Sequence, residues 1–501
     1  MHRHTRHVTI AAALTGSSAS AISMIGAGTP SLWGDEAASV LSAERSVPSL
    51  LSMLQHVDAV HGLYYLALHF WIQVAGTSPF AVRAPSAVAI GACVAGIVVL
   101  GSTLRGVRFG VIAGTLCAVL PRLTDVGSEA RSYAFTAAVA TWLTVIVVRI
   151  LRSREPRTRL WVCYGVLLAI GTWLFIYLAL IAVAHLAVLL ASPRRATLAR
   201  PALVAIVIAF VATTPLFVLA YLERGQVAYL ASRDYHDPTS LFVSPFFENL
   251  TVAMAAWVLI TVGVALSIWD WRTGWHRWQV PTASSVSALI PVAWLLVPAA
   301  ILIGSSTVIA DYTPRYLAMC APAAGLLMAV PVDALAGLTR HRWAGALGGL
   351  VVVVAVVAIA VPVWVHQRGP YAKNDSDWAA ISAEVAAHAS PGDAVAFDDS
   401  VRPSRKPRLA FDTYPQGFRG LRDPTLRTGF QASPTWYDQV ISLTQAQRMG
   451  RLVGVSTLWM VEYATAGHVD QDGIAALRAA GFREVGRLVT HRSVILEFHR
   501  G

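Results

Sequence analysis

Eleven apolar runs dominate this 501-residue chain before residue 366: 8–28, 82–104, 109–121, 132–150, 160–176, 178–192, 202–222, 250–268, 283–304, 316–336 and 344–365. A helix crosses a bilayer on about 20 mostly apolar residues, and inside lipid it satisfies its own backbone N–H and C=O groups. With 55% hydrophobic and 13% charged residues, the composition is that of a polytopic membrane protein rather than a soluble enzyme. A formal net charge of +11 would suggest nucleic acid in a soluble chain. Here the basic residues cluster in short loops between apolar runs, which is a topology signal, and no nucleic-acid partner is expected.

The pair 160–176 and 178–192 is short for two spans, and flanking charge decides the count. Arg149, Arg152, Arg154, Arg157 and Arg159 precede it and Arg194, Arg195 and Arg200 follow it, so both flanks are expected inside and the pair crosses twice. Arg3, Arg6, Arg105, Arg108, Arg272, Arg277, Arg340 and Arg342 mark the other inner loops. The N-terminus is then cytoplasmic, the first run an uncleaved span rather than a secretory signal, and 29–81, 122–131, 223–249 and 305–315 are outer loops. All four cysteines fall inside apolar runs with no metal or disulfide spacing. His185, isolated among apolar residues, reads as a packed or hydrogen-bonded residue.

Beyond Val365 the pattern changes. "NDSDWAAISAEVAAHASPGDAVAFDDS" reads as a helix, a turn and a strand; "STLWMVEY" as a buried strand; "DGIAALRAAGF" as a helix ended by glycine; and "REVGRLVTHRSVILEFHR" as a hairpin. The expected organisation is a membrane domain over 1–365, carrying the first outer loop 29–81, and an extracytoplasmic α/β domain over 366–501. Trp378 and Trp459 read as core of that domain. Trp436 and Tyr437 are candidates to stack on sugar rings.

Two features carry chemistry. The first is the acid pair Asp35 and Glu36, at the start of the first outer loop. A helix over 57–72 would place Asp58 and His61 on one face above an apolar surface containing Leu63, Tyr64, Tyr65, Leu66, Phe70 and Trp71, suited to the membrane interface. The second is three outward helix starts with expected caps, Ser78, Ser128 and Thr313, each followed by an arginine: Arg83, Arg131 and Arg315. A cation there opposes the helix dipole at a cost of about 0.3–1 kcal/mol, so an anion is expected to offset it. Phosphate suits such a site, because guanidinium forks and backbone N–H groups both address its oxygens. The competing reading pairs these arginines with Glu129 or Asp311, or lets them snorkel to headgroups. No nucleotide loop and no HExxH zinc motif occurs.

The segments "WGDEAAS", "DAVHGLYYLALHFW", "RAPSA", "SEARSYAF" and "PRYLAMCAPA" together resemble GT-C glycosyltransferases of the protein mannosyltransferase and aminoarabinose transferase type, most closely the actinobacterial polyprenyl-phosphomannose-dependent mannosyltransferases. The resemblance covers about residues 1–340. It implies a polyprenyl-phosphate sugar donor, inverting transfer of mannose to a glycan or protein acceptor of the cell envelope such as a lipoglycan, and a site among membrane lipids at the outer face of the plasma membrane. Asp35 matches the family's first-loop catalytic aspartate and Glu36 its partner. Arg131, Tyr133, Arg315 and Tyr316 match segments that contact donor phosphate and sugar; Asp58, His61, Arg83, Glu129 and Asp311 accompany them. Where relatives read H-P-P-L-Y-Y this chain reads "HGLYY", which leaves open whether Asp58 and His61 meet donor phosphate or a divalent metal ion. An arabinosyltransferase of the same architecture, a transporter of a polyprenyl-linked sugar and a wall-assembly scaffold are the competing readings.

Overall fold

The computed structural model describes residues 2–153, 157–233, 235–273, 284–309, 311–338, 342–464, 469 and 471–501. Arg154, Arg277 and Arg340 lie outside them. Each of the eleven apolar runs becomes a helix or most of one. Among the described residues, seven helices are long and apolar enough to cross a membrane, among them Pro79–Arg105, Tyr133–Arg152, Arg195–Leu222 and Trp343–His366. Val107–Val119, Thr158–Leu174 and Ile176–Ala191 are shorter apolar helices. The short pair is therefore two helices, broken where Phe175 turns extended at φ −165°. The chain is a polytopic α-helical membrane protein.

It divides into two compact units. The first comprises Met1–Ile25, Asp58–Tyr64 and Arg83–His366; the second comprises Gly26–Val57, Tyr65–Val82 and Gln367–Gly501. The first loop is thus shared between them.

In the first unit the segment Pro314–Leu335 is 94% buried and forms the centre, whereas Trp343–His366 is 17% buried and turns Leu347, Val351, Val354 and Val361 outward. An apolar helix with an exposed apolar face is what lipid accommodates. The helices Pro79–Arg105 and Val107–Val119 touch at Gly101, where an added Cβ would stand 2.8 Å from the Gly110 Cα; only paired small residues permit that approach. At the joined end of this pair Arg105 lies 3.6 Å from Asp270 and 3.9 Å from Asp333, and Arg108 Nε donates to Asp333 at 2.9 Å. Charges counted as inner-loop signals therefore also neutralise carboxylates. His185 bonds Tyr164 Oη (3.1 Å) and Thr144 Oγ1 (3.0 Å), a satisfied buried residue joining three helices.

The second unit holds a four-stranded sheet in the order Ala394–Phe397, Thr457–Tyr463, Ser493–Arg500, Phe482–Val489. The first pair is parallel, with Ala394 opposite Leu458, and the others are antiparallel. The helices Trp378–His388 and Gln471–Ala479 accompany it, in the order the sequence indicates. Trp378 is 1% exposed, and Trp459 donates its indole N–H to Asp393 at 3.0 Å, so both are core residues. The first-loop helices Gly34–Ala43 and Val47–Met53 belong to the same unit.

Candidate functional site

In the second unit, Asp35 and Glu36 form the first turn of Gly34–Ala43, where carboxylates complement the helix dipole. Glu36 is fully buried. The strand-like stretch before them is held by residues from the other end of the sequence. Ser31 N donates to Pro370 O at 2.9 Å, Leu32 N to Tyr414 Oη at 2.8 Å, and Ser376 Oγ to Leu32 O at 2.6 Å. Gly34 lies so close to Ser404 that a Cβ would stand 2.6 Å from the Ser404 Cβ. The acid pair is thus positioned by the C-terminal region, a dependence that local pattern does not encode.

In the first unit a cluster assembles from six separate stretches of sequence. Asp58 adopts a left-handed conformation (φ 58°, ψ 33°) and begins a 3-10 turn, Ala59–His61, closed by His61 N donating to Asp58 O at 3.0 Å. The expected helix over 57–72 instead starts at Gly62, so Asp58 and His61 share a turn rather than a helix face. Tyr64 and Tyr65 are buried rather than part of the apolar surface, while Phe70 and Trp71 are exposed. Glu223 Oε2 accepts from Ala59 N (3.0 Å) and Gln226 Oε1 from Asp58 N (3.2 Å), pinning this turn.

Around the turn, Asp58 Oδ2 is 3.6 Å from Arg131 Nη1, and Arg315 Nη1 is 3.9 Å from Glu129 Oε1. Both arginines therefore have carboxylate partners, at ion-pair rather than hydrogen-bond distance. Asp311 accepts from Tyr177 Oη at 3.0 Å, and burial raises its carboxyl above the usual range. His61 Nδ1 lies 3.0 Å from Ser132 Oγ, and its ring stacks on Phe175 at 5.2 Å. Burial, then the charges of Arg131 and Arg315, hold the imidazole well below its ordinary pKa. Tyr133 carries the Arg315 guanidinium at 5.7 Å from its ring centre and touches Tyr316 at 6.1 Å; Tyr316 stacks on Tyr177 at 5.2 Å. Ser86 Oγ donates to Arg131 O at 3.3 Å. Arg83, one turn earlier in that helix, is 0% exposed, which rules out snorkelling for it.

Of the expected caps, Ser78 holds: its Oγ accepts from Ala81 N at 3.3 Å. Ser128 instead bonds back to Thr124 O (3.1 Å), ending Pro121–Val126, and the next helix starts only at Tyr133. Thr313 precedes a 3-10 segment, Pro314–Cys320, and makes no side-chain cap. The intervening turn 129–131 is what frees Glu129 and Arg131 to face the cluster. The pair Asp58 and His61 does not fit a divalent cation. Asp58 faces Arg131, His61 is committed to Ser132 and Phe175, and no set of three His, Cys, Asp or Glu suited to a metal occurs among the described residues. Phe175, Tyr177, Glu223 and Gln226 were not foreseen. The aromatic pair breaking the short-span runs and the polar residues ending Arg195–Leu222 were the signals.

No family profile and no curated protein matches the sequence. Among solved structures, ArnT from Cupriavidus metallidurans in the apo state is similar with a TM-score of 0.59 at 13% identity, over 97% of each chain. The same protein bound to undecaprenyl phosphate gives a TM-score of 0.54 at 13% identity, again over 97% of each chain. At that identity the likeness is one of fold, and the chain has the fold expected from its resemblance to GT-C transferases.

Proposed function

We propose that this chain, sharing the ArnT fold, is a polyprenyl-phosphate-sugar-dependent glycosyltransferase. It moves mannose to a cell-envelope acceptor at the outer face of the membrane. The observation that carries the reading is the convergence of Arg131, Arg315, Tyr133, Tyr316 and His61 on one buried cluster from segments far apart in sequence. The fold neighbour's undecaprenyl phosphate supplies the ligand chemistry: a lipid-linked phosphate.

In the reaction we infer, the acceptor hydroxyl gives its proton to the Asp35 carboxylate as its oxygen bonds to the anomeric carbon of the sugar. The bond from that carbon to the phosphate oxygen breaks, and its electron pair leaves with polyprenyl phosphate. Arg131 and Arg315 shift from Asp58 and Glu129 toward the phosphate as its charge develops, the stabilisation that matters most in such transfers. A neutral His61 adds no further charge and can donate or accept one hydrogen bond. In-line displacement turns a β-linked donor into an α-linked product.

The test is transfer of label from radiolabelled polyprenyl-phosphomannose to endogenous acceptors in membranes holding wild-type or Asp35→Ala protein at matched expression. Transfer by the wild type and its loss in the variant supports the reading. Equal transfer removes Asp35 from the chemistry. Transfer from polyprenyl-phosphoarabinose alone would replace mannose by arabinose, and movement of the lipid-linked sugar without product would make the chain a transporter.

A further inference from the structure

The loop after the strand Ala394–Phe397 carries cations that the mechanism above does not use. Its 3-10 turn Pro403–Arg405 is the segment that lies against Gly34, next to Asp35. Arg405 donates from Nη1 to Tyr463 Oη at 3.2 Å, at the carboxyl end of Thr457–Tyr463. From the neighbouring hairpin, the Arg492 guanidinium sits 5.3 Å over the ring of the same tyrosine. In α/β sheets, ligands gather beyond the carboxyl ends of the parallel strands, which is where this group stands.

Arg492 is the unusual member. Its side chain is 10% exposed. Nη1 donates to the Asn374 carbonyl, whereas Nε and Nη2 are buried and make no hydrogen bond. The carboxylate beside it, Asp377, is 3.9 Å from Nε and already accepts from Thr490 Oγ1 (2.6 Å), Arg492 N (2.9 Å) and Ser493 Oγ (3.1 Å). Buried charged donors left unmade are costly, and the like charge of Arg405 adds to that cost. Burial is the main influence lowering the Arg492 pKa, with Arg405 acting in the same direction and Asp377 and Asp375 against it. A phosphate oxyanion would relieve both, taking donors from two guanidinium forks.

We propose that Arg405, Arg492 and Tyr463 form an oxyanion cradle that holds a phosphate group of the acceptor and so presents a phosphorylated glycan or lipid headgroup to Asp35. This rests on the glycosyltransferase reading and names its acceptor class.

The test uses full-length protein in phosphatidylcholine nanodiscs, with radiolabelled mannose 6-phosphate as probe, mannose as uncharged control, and undecaprenyl phosphate titrated separately. Wild-type protein should bind the phosphosugar in preference to mannose, and Arg405→Gln and Arg492→Gln should each weaken it by about 10-fold or more, while undecaprenyl phosphate binding is retained. Retention of that second ligand shows the variants are folded. Should Arg492→Gln fail to fold, Arg405→Gln and Tyr463→Phe, on the more accessible side, carry the test. Phosphosugar binding equal to wild type in these variants, or binding lost only in Arg315→Ala, overturns the cradle. Failure of wild-type protein to bind undecaprenyl phosphate, with the phosphosugar result intact, instead counts against the glycosyltransferase reading alone. Nanodiscs containing phosphatidylinositol separate the two sources: competition with the phosphosugar assigns a lipid headgroup, and its absence a glycan phosphate.

Discussion

His61 and Glu44 respond to acid in opposite senses, and both do so because they are buried. His61 is held well below its ordinary value of 6.5 by burial and by Arg131 and Arg315. Below pH 6.5 the unfolded chain takes up a proton the folded one refuses, so its contribution to stability is present above 6.5 and lost as pH falls. Glu44, which ends Gly34–Ala43 near Asp412, is pushed by burial from 4.5 up to about 7. Between those values the folded chain keeps a proton the unfolded one releases, so stability falls as pH rises through that window. Glu44→Gln should therefore abolish about 1–3 kcal/mol of loss between pH 4.5 and 7, measured by thermal unfolding in detergent across pH. At Arg315, loss of charge stabilisation should slow transfer by roughly 100-fold or more in Arg315→Ala; near-normal turnover of a well-inserted variant would dismiss the role. Gly34→Ala forces a Cβ to within 2.6 Å of Ser404 and should cost about 1–3 kcal/mol, read as a lower melting temperature.

At the scale of elements, the helices of the eleven apolar runs were legible because an apolar helix is written in consecutive residues, and the strands because "STLWMVEY" and the closing hairpin carry local patterns. What escaped was where irregular backbone interrupts a helix. The expected helix over 57–72 loses its first turn to the left-handed Asp58, and the cap expected at Ser128 gives way to the turn at 129–131. Both exceptions deliver a charged side chain to the arginine cluster, so long-range charge pairing overrides local propensity there. The Asp58 turn depends on Glu223 and Gln226, more than 160 positions away, and no local signal announces that pairing. Glu223→Ala should leave the Ala59 N–H without its acceptor, costing about 1–3 kcal/mol and weakening undecaprenyl phosphate binding, whereas Glu223→Gln should restore most of the loss.

For the whole molecule, the matches of arginine and tyrosine segments to a family pattern located the cluster, but the seating of Asp35 by residues 370, 376, 404 and 414 was invisible in sequence, since long-range pairing leaves no periodic trace. Chain ended at residue 366 should keep its membrane helices yet show no transfer, and the 26–57 segment should become a target of limited proteolysis; resistance equal to wild type would mean the segment holds its form alone. The same pairing sets a clock on biosynthesis. Leu32 and Ser376 are 344 residues apart, and at about 5–20 residues per second the ribosome needs roughly 20–70 s to supply the second after the first. Until then Asp35 and Glu36 wait without their seat in a half-made chain already threaded into the membrane, and that seat arrives only with the last quarter of translation.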